Sequence, residues 1–201
     1  MTTHMPVLET ERLIVRPFRL DDLDSVHALL DRDLAWTSGD EEEHSLDQRR
    51  AWLEWTVRNE QELGNLFQPP YGDRAVTLKD GTLIGVTGYV QELKPFEQIR
   101  WFRGDRPERE TYRNTAEVGL YWATGSRWQR QGYAAEAAGA LLHYGFGPLN
   151  LARIVATTEY ENEGSIGVMR RLGMRIERNP LPDPFYLQVV GVIEHPGDAT
   201  G

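Results

Sequence analysis

A chain of 201 residues, 40% hydrophobic before its 19 glycines are counted, has the length for one domain with a sizeable core and is short for two. It has no cysteine, which excludes disulfides, thiolate metal sites and a cysteine nucleophile and suits a reducing cytoplasm. With 31 acidic against 22 basic residues the formal net charge is -9, a poor footprint for nucleic acid and a field that favours a cationic partner such as an amine.

Leu8 to Arg16 alternates through Leu13 and Val15 as a first strand. Asp21-Asp22 offers an N-cap to a helix carrying Leu23, Val26, Leu30 and Leu34. Asp40 to Glu43 is an acidic loop or helix start, and with Trp36 it falls between this helix and the next. A second amphipathic helix spans about Leu46 to Leu63 with Leu53 and Val57 inward, and Pro69-Pro70-Tyr71-Gly72 ends it. Ala75 to Lys79 and Leu83 to Val90 form a hairpin across Asp80-Gly81. Lys94 to Asn114 is charged and aperiodic and reads as a long loop, a lid or a dimer contact. Ala116 to Ala123 is a strand, Ala134 to Phe146 a helix with Ala134, Ala137, Leu141 and Leu142 on one face, and Ala152 to Thr158 a β-branched strand. A short helix from Ser165 to Leu172 ends at Gly173. Strands near Met174 to Arg178 and Phe185 to Ile193 flank a proline-rich turn, and His195 to Gly201 is a loose tail. Strands and helices mixed in this order indicate a single α/β domain (α+β in some schemes) over residues 1–201, with its core at about 8–193.

The segment Gln129-Arg130-Gln131-Gly132-Tyr133-Ala134 takes the chain from strand to helix through a glycine. Such a turn offers free backbone N–H groups at a helix N-terminus, and these bind anions, phosphates above all. A Walker loop needs a Lys-Ser/Thr pair after its glycine, and a dinucleotide turn needs Gly-x-Gly-x-x-Gly. Neither is present.

The remaining Gln-x-x-Gly-x-Ala pattern does not stand alone. Thr10-Glu11-Arg12-Leu13-Ile14-Val15-Arg16-Pro17, Ala116-Glu117-Val118-Gly119-Leu120-Tyr121-Trp122, Gln129 to Ala134, and Asn162-x-x-Ser165 ending at Leu172-Gly173 fall in one order. Across residues 8 to 193 the chain resembles the GNAT superfamily of acetyl-CoA-dependent N-acetyltransferases, in its RimJ/RimL ribosomal-protein branch. The resemblance implies a mixed, mostly antiparallel sheet of about six to seven strands, splayed open at its centre and flanked by about four helices. It implies acetyl-CoA as co-substrate, with Gln129, Arg130, Gln131, Gly132, Tyr133 and Ala134 around the pyrophosphate and Tyr121, Trp122 and Ala123 along the pantetheine arm. Asn162 and Ser165 would also contact the coenzyme. Arg127 and Arg130 could add full charges to the turn. Arg130 stands where relatives often have glycine.

Acetyl transfer to an amine requires a proton acceptor, a polarised thioester carbonyl and a proton for the departing thiolate. Glu117 is the candidate general base; the alternative is a carboxylate satisfied by backbone or arginine partners. Ser165 is the candidate acid, because the tyrosine found seven residues after the asparagine in many relatives is Met169 here. Asn162 and Ser165 are also favoured helix-cap types. The five histidines show no metal-ligand spacing, and no metal is expected. An α-amine is neutral in about one molecule in seven at pH 7, a lysine in about one in a few thousand. One candidate base therefore leans toward an α-amine or small amine, such as a protein N-terminus. An amine-bearing antibiotic as acceptor, or a non-catalytic acyl-CoA sensor, remains open. The N-terminal residues carry no signal-peptide pattern, and no run reaches the ~20 apolar residues of a membrane span, so a cytoplasmic protein with no membrane partner is expected.

Overall fold

The computed structural model describes residues 5–36, 44–68 and 71–198. The acidic run 40–43 and Pro69-Pro70 lie outside them. Eight strands follow the order β1-β2-β3-β4-β5-β6-β8-β7, one more than the upper expectation, and five α-helices accompany them among the described residues. The chain divides into two compact units, Met1–Tyr89 with Trp122–Leu141, and Val90–Tyr121 with Leu142–Gly201.

In the first unit the predicted strand 8–16 is two strands, β1 (Leu8–Glu9) and β2 (Leu13–Pro17). A tight turn separates them, because Thr10 N–H donates to Leu13 O (3.0 Å) while Thr10 Oγ1 accepts from Leu13 N–H (2.9 Å). β2, β3 (Gly72–Leu78) and β4 (Leu83–Lys94) continue antiparallel. The Asp80-Gly81 turn forms as expected, with Gly81 at φ +92° and Thr82 N–H bound to Asp80 Oδ1. Period-two alternation turns Leu13 and Val15 inward onto Val76, Ile84 and Ala137.

The helix expected over 23–34 begins as α1 (Leu23–His27) and widens into a π-turn (Ala28–Asp33). α2 (Leu46–Asn65) starts from a capping box in which Ser45 and Gln48 bind each other's backbone N–H. Its inward face uses Leu53 with Arg49 and Thr56, whereas Val57 is half-buried. Arg49 makes two bonds to Asp31 of the π-turn, Nε to Oδ2 (2.8 Å) and Nη2 to Oδ1 (2.6 Å). A carboxylate this deeply buried needs such bidentate pairing to offset its desolvation.

The second unit contains the end of β4, β5 (Thr115–Thr124) up to Tyr121, β6 (Arg153–Thr158), α5 (Glu163–Arg171), β7 (Arg175–Arg178) and β8 (Val189–Glu194). β8 pairs antiparallel with β6 and β7. β5 and β6 are parallel and meet in a single register position, Gly119 opposite Val155. The expected loop 94–114 holds a 3-10 turn (Phe96–Gln98) and α3 (Arg100–Arg103). Phe96 and Ile99 are fully buried with Val155, Leu187, Val190 and Val192, so the segment's first part belongs to the core.

Two late expectations shift as well. Phe185–Leu187 is a 3-10 turn that delivers Leu187 to that cluster, and the strand proper starts at Val189. The tail is tied at its root: His195 N–H donates to Ala152 O (2.8 Å), and its Nε2 lies 3.0 Å from Phe146 O. α4 (Tyr133–Phe146) passes from the first unit into the second.

Candidate active site

β5 ends at Thr124, and a 3-10 turn (Ser126–Trp128) leads to Gln129. Gly125 allows a close approach here, since a Cβ would stand 2.7 Å from Leu29 Cδ1 and 3.0 Å from Asp33 Oδ2. Asp33 accepts from Ser126 N–H (2.7 Å) and from the Ser126 hydroxyl. The two glutamine side chains brace the turn from within: Gln129 Nε2 donates to Thr124 O (3.0 Å) and Gln131 Nε2 to Arg127 O (2.9 Å). Both side chains are spent on the turn itself. Arg130 and Gly132 hold φ +60° and +85°. The first bond of α4 runs from Glu136 N–H to Gly132 O (3.0 Å), so the N–H groups of Gly132, Tyr133, Ala134 and Ala135 precede the helical ladder. Trp128 and Tyr133 pack edge to face on each other and, partly buried, against the cluster of Leu13, Val15, Val76, Ile84 and Ala137.

A carboxylate in the first turn of an anion-binding helix would oppose the ligand unless it were neutralised. Glu136 is such a residue, and three bonds consume it. Its Oε1 accepts from Thr10 Oγ1 (2.6 Å) and Arg12 N–H (2.9 Å), and its Oε2 from Arg12 Nε (2.6 Å). Arg12 also donates Nη1 to Gln131 O (3.0 Å) and stacks over the Tyr133 ring. Burial pushes the Glu136 carboxyl up, but the bonds from Thr10 and Arg12 outweigh it and hold its pKa below the ordinary value. Nothing local to Thr10-Glu11-Arg12 in the sequence marks this task. The signal in the sequence is Glu136, an acid in the first turn of the helix expected to meet an anion.

In the second unit Glu117 is paired bidentately with Arg153, Nε to Oε2 (2.8 Å) and Nη2 to Oε1 (2.6 Å). The Arg153 guanidinium stacks over Trp101 and Phe102. Glu117 thus takes the arginine-satisfied arrangement, and accepting a proton would cost it one of these bonds. Asn162 caps α5 through Oδ1, which accepts from Ser165 N–H (3.0 Å). The cap uses the serine amide rather than Oγ, so capping leaves the hydroxyl available for chemistry. Met169, at the place of the relatives' tyrosine, is fully buried against Gly191, where a Cβ would lie 3.0 Å from its sulfur. That position serves the core. Tyr121, Trp122 and Ala123 are half-buried, and the Ala123 carbonyl lies where a Cβ on Gly85 would be. Among the described residues no cluster of three or more His, Asp or Glu could hold a metal, and no helix is long and apolar enough to cross a membrane.

The sequence has relatives among known proteins. It is 48% identical over 64 residues to the uncharacterized N-acetyltransferase YnaD of Bacillus subtilis (strain 168), a match spanning 32% of this chain and 36% of YnaD's length. Over 175 residues it is 27% identical to the uncharacterized N-acetyltransferase YoaA of the same organism, covering 86% of this chain and 84% of YoaA. Its fold is similar to that of Mycobacterium smegmatis RimJ, solved in complex with a CoA-disulfide, at a TM-score of 0.64 and 17% identity over 94% of this chain and 84% of that one. Residues 12–175 match the acetyltransferase (GNAT) domain model, from Arg12 through the turn and α5, and the chain belongs to the GNAT acetyltransferase family.

Proposed function

We propose that this protein transfers an acetyl group from acetyl-CoA directly to a primary amine, with a protein N-terminal α-amine or a small amine as acceptor. The observation that carries this reading is the turn at Gln129–Ala134. Its two left-handed residues and the N–H groups ahead of the Glu136–Gly132 bond form an anion cradle, with Glu136 already neutralised by Thr10 and Arg12. Those N–H groups, with Arg127 and Arg130 nearby in sequence, would hold the coenzyme's pyrophosphate. The backbone of β5 from Tyr121 to Ala123, which runs into the turn along the chain, would lie beside the pantetheine arm. Asn162 would contact the coenzyme from the start of α5, and Ser165 Oγ would return a proton to the departing thiolate.

A non-catalytic acyl-CoA-binding module is the second reading, favoured by the engagement of both Glu117 oxygens with Arg153. Release of free coenzyme A thiol across a panel of peptide N-termini, polyamines and amine-bearing antibiotics, with acetyl mass shifts on the products, separates the two. Thiol release that depends on one amine class supports the transferase. Tight acetyl-CoA binding with no turnover on any amine supports the sensor, and failure to bind coenzyme A overturns both.

A further inference from the structure

A second carboxylate lies on the same strand face as Glu117, close to the point where β5 and β6 part. Glu92 of β4 folds over Gly119, and a Cβ on that glycine would fall 2.4 Å from Glu92 Cγ and 2.9 Å from its Oε1. A larger residue at 119 would have to displace the Glu92 side chain. Gly119 is also the position that meets Val155 in the single β5–β6 register pair. The Glu92 side chain is 10% exposed, and its Oε2 is 2.5 Å from Lys94 Nζ. Lys94 reaches onward to Thr157 Oγ1 of β6 (2.7 Å) and over the Tyr186 ring. Val90, whose Cγ1 would lie 2.8 Å from the same Cβ, is 37% exposed, so solvent reaches the neighbouring residue on β4.

We infer that Glu92, rather than Glu117, is the catalytic residue that takes the amine's proton. The inference rests on the acetyl-transfer reading above. The two carboxylates differ in how they are held. Arg153 binds both oxygens of Glu117 and fixes it as a strut between β5 and β6. Lys94 binds Oε2 of Glu92, which orients the carboxylate and turns Oε1 toward Gly119. The amine nitrogen attacks the thioester carbonyl carbon, the C–N bond forms and the C–S bond breaks. The proton leaving nitrogen goes to Glu92, and the thiolate takes one from Ser165 or solvent. Lys94 keeps its bond to Thr157 throughout, so the carboxylate stays aimed as its charge changes.

The test is a pH–rate profile of Glu92→Gln, Glu92→Asp and Glu117→Gln beside the wild type, with thermal melting of each. Glutamine can still accept from Lys94, so Glu92→Gln preserves the bridge. It should lower kcat/KM about 100-fold at pH 7 with KM for acetyl-CoA within about twofold, the size of a lost general base. Part of the loss should return between about pH 7 and 9, where an α-amine deprotonates unaided. Glu92→Asp should keep the wild-type profile shape at reduced rate. Glu117→Gln should melt several degrees lower and keep the wild-type profile. The proposal is overturned if Glu92→Gln retains wild-type kcat/KM, or if the pH-dependent rescue belongs to Glu117→Gln instead. A wild type that is inert toward every amine overturns the transfer reading together with this one, whereas an active wild type with an equally active Glu92→Gln overturns this one alone.

Discussion

Arg130 stands at φ +60°, the left-handed region that costs an L-residue roughly 1–2 kcal/mol. Relatives of the family often have glycine at this place, and the backbone explains why: the chain turns left-handed there. The arginine keeps the turn and adds a charge. Arg130→Gly should therefore separate the two contributions. Relief of the backbone, less the extra unfolded-state entropy of glycine, should stabilise the protein by about 0.5–1 kcal/mol, roughly 2–4 °C in Tm at the upper figure. Loss of the guanidinium should weaken coenzyme A binding several-fold. Calorimetry and a coenzyme A titration on the same variant check both directions, and a lower Tm would show that Arg130 makes contacts worth more than its strain. The departure from glycine was legible in the sequence. Its sign on stability was not, because a dihedral angle cannot be read from residue identity.

At the scale of elements, the Thr10–Arg12 turn is a clamp that holds the start of α4. Arg12 binds Glu136 and the Gln131 carbonyl together, so its removal loosens the helix end and the turn before it. Arg12 is 41% exposed, which reduces a charged hydrogen bond to about 1 kcal/mol. Arg12→Ala should accordingly raise KM for acetyl-CoA about fivefold while leaving kcat within about twofold. Steady-state kinetics with acetyl-CoA varied decide it, and an unchanged KM would reduce the clamp to a packing device. Elements whose signals are local are legible in the sequence: the Asp80-Gly81 hairpin and the Asn162 cap each depend on residues within three or four positions. The pairs Glu117–Arg153, Glu136–Arg12 and Glu92–Lys94–Thr157 are different. Apart from the Glu92–Lys94 neighbours, they join residues 36 to 124 positions apart, and nothing in the local pattern says which acid meets which base. Phe96 and Ile99 hid for the same reason, as buried anchors inside a segment whose charges read as loop.

For the whole molecule, the partly buried Asp22 and Glu136 make stability depend on acid. Burial raises the Asp22 pKa, but bonds from Arg16 and Arg19 outweigh it, and Glu136 is lowered in the same way by Thr10 and Arg12. A folded-state pKa below the unfolded one adds stability that is complete above the ordinary carboxylate range, about 4–4.5, and is lost as pH falls through the lowered values. Tm should stay level from pH 7 to about 5 and then fall. Asp22→Asn and Glu136→Gln should each start from a lower Tm and lose less of it on acidification, as melts between pH 7 and 3 would reveal. A further consequence follows from Asp33, where the π-turn grips Ser126 by its amide and its hydroxyl. A ligand that stiffens the Gln129 turn also stiffens the end of the helical arm that leads toward α2. Such a connection makes the π-turn the first distant element to register that the turn is occupied, although it is nearly a hundred residues away along the chain.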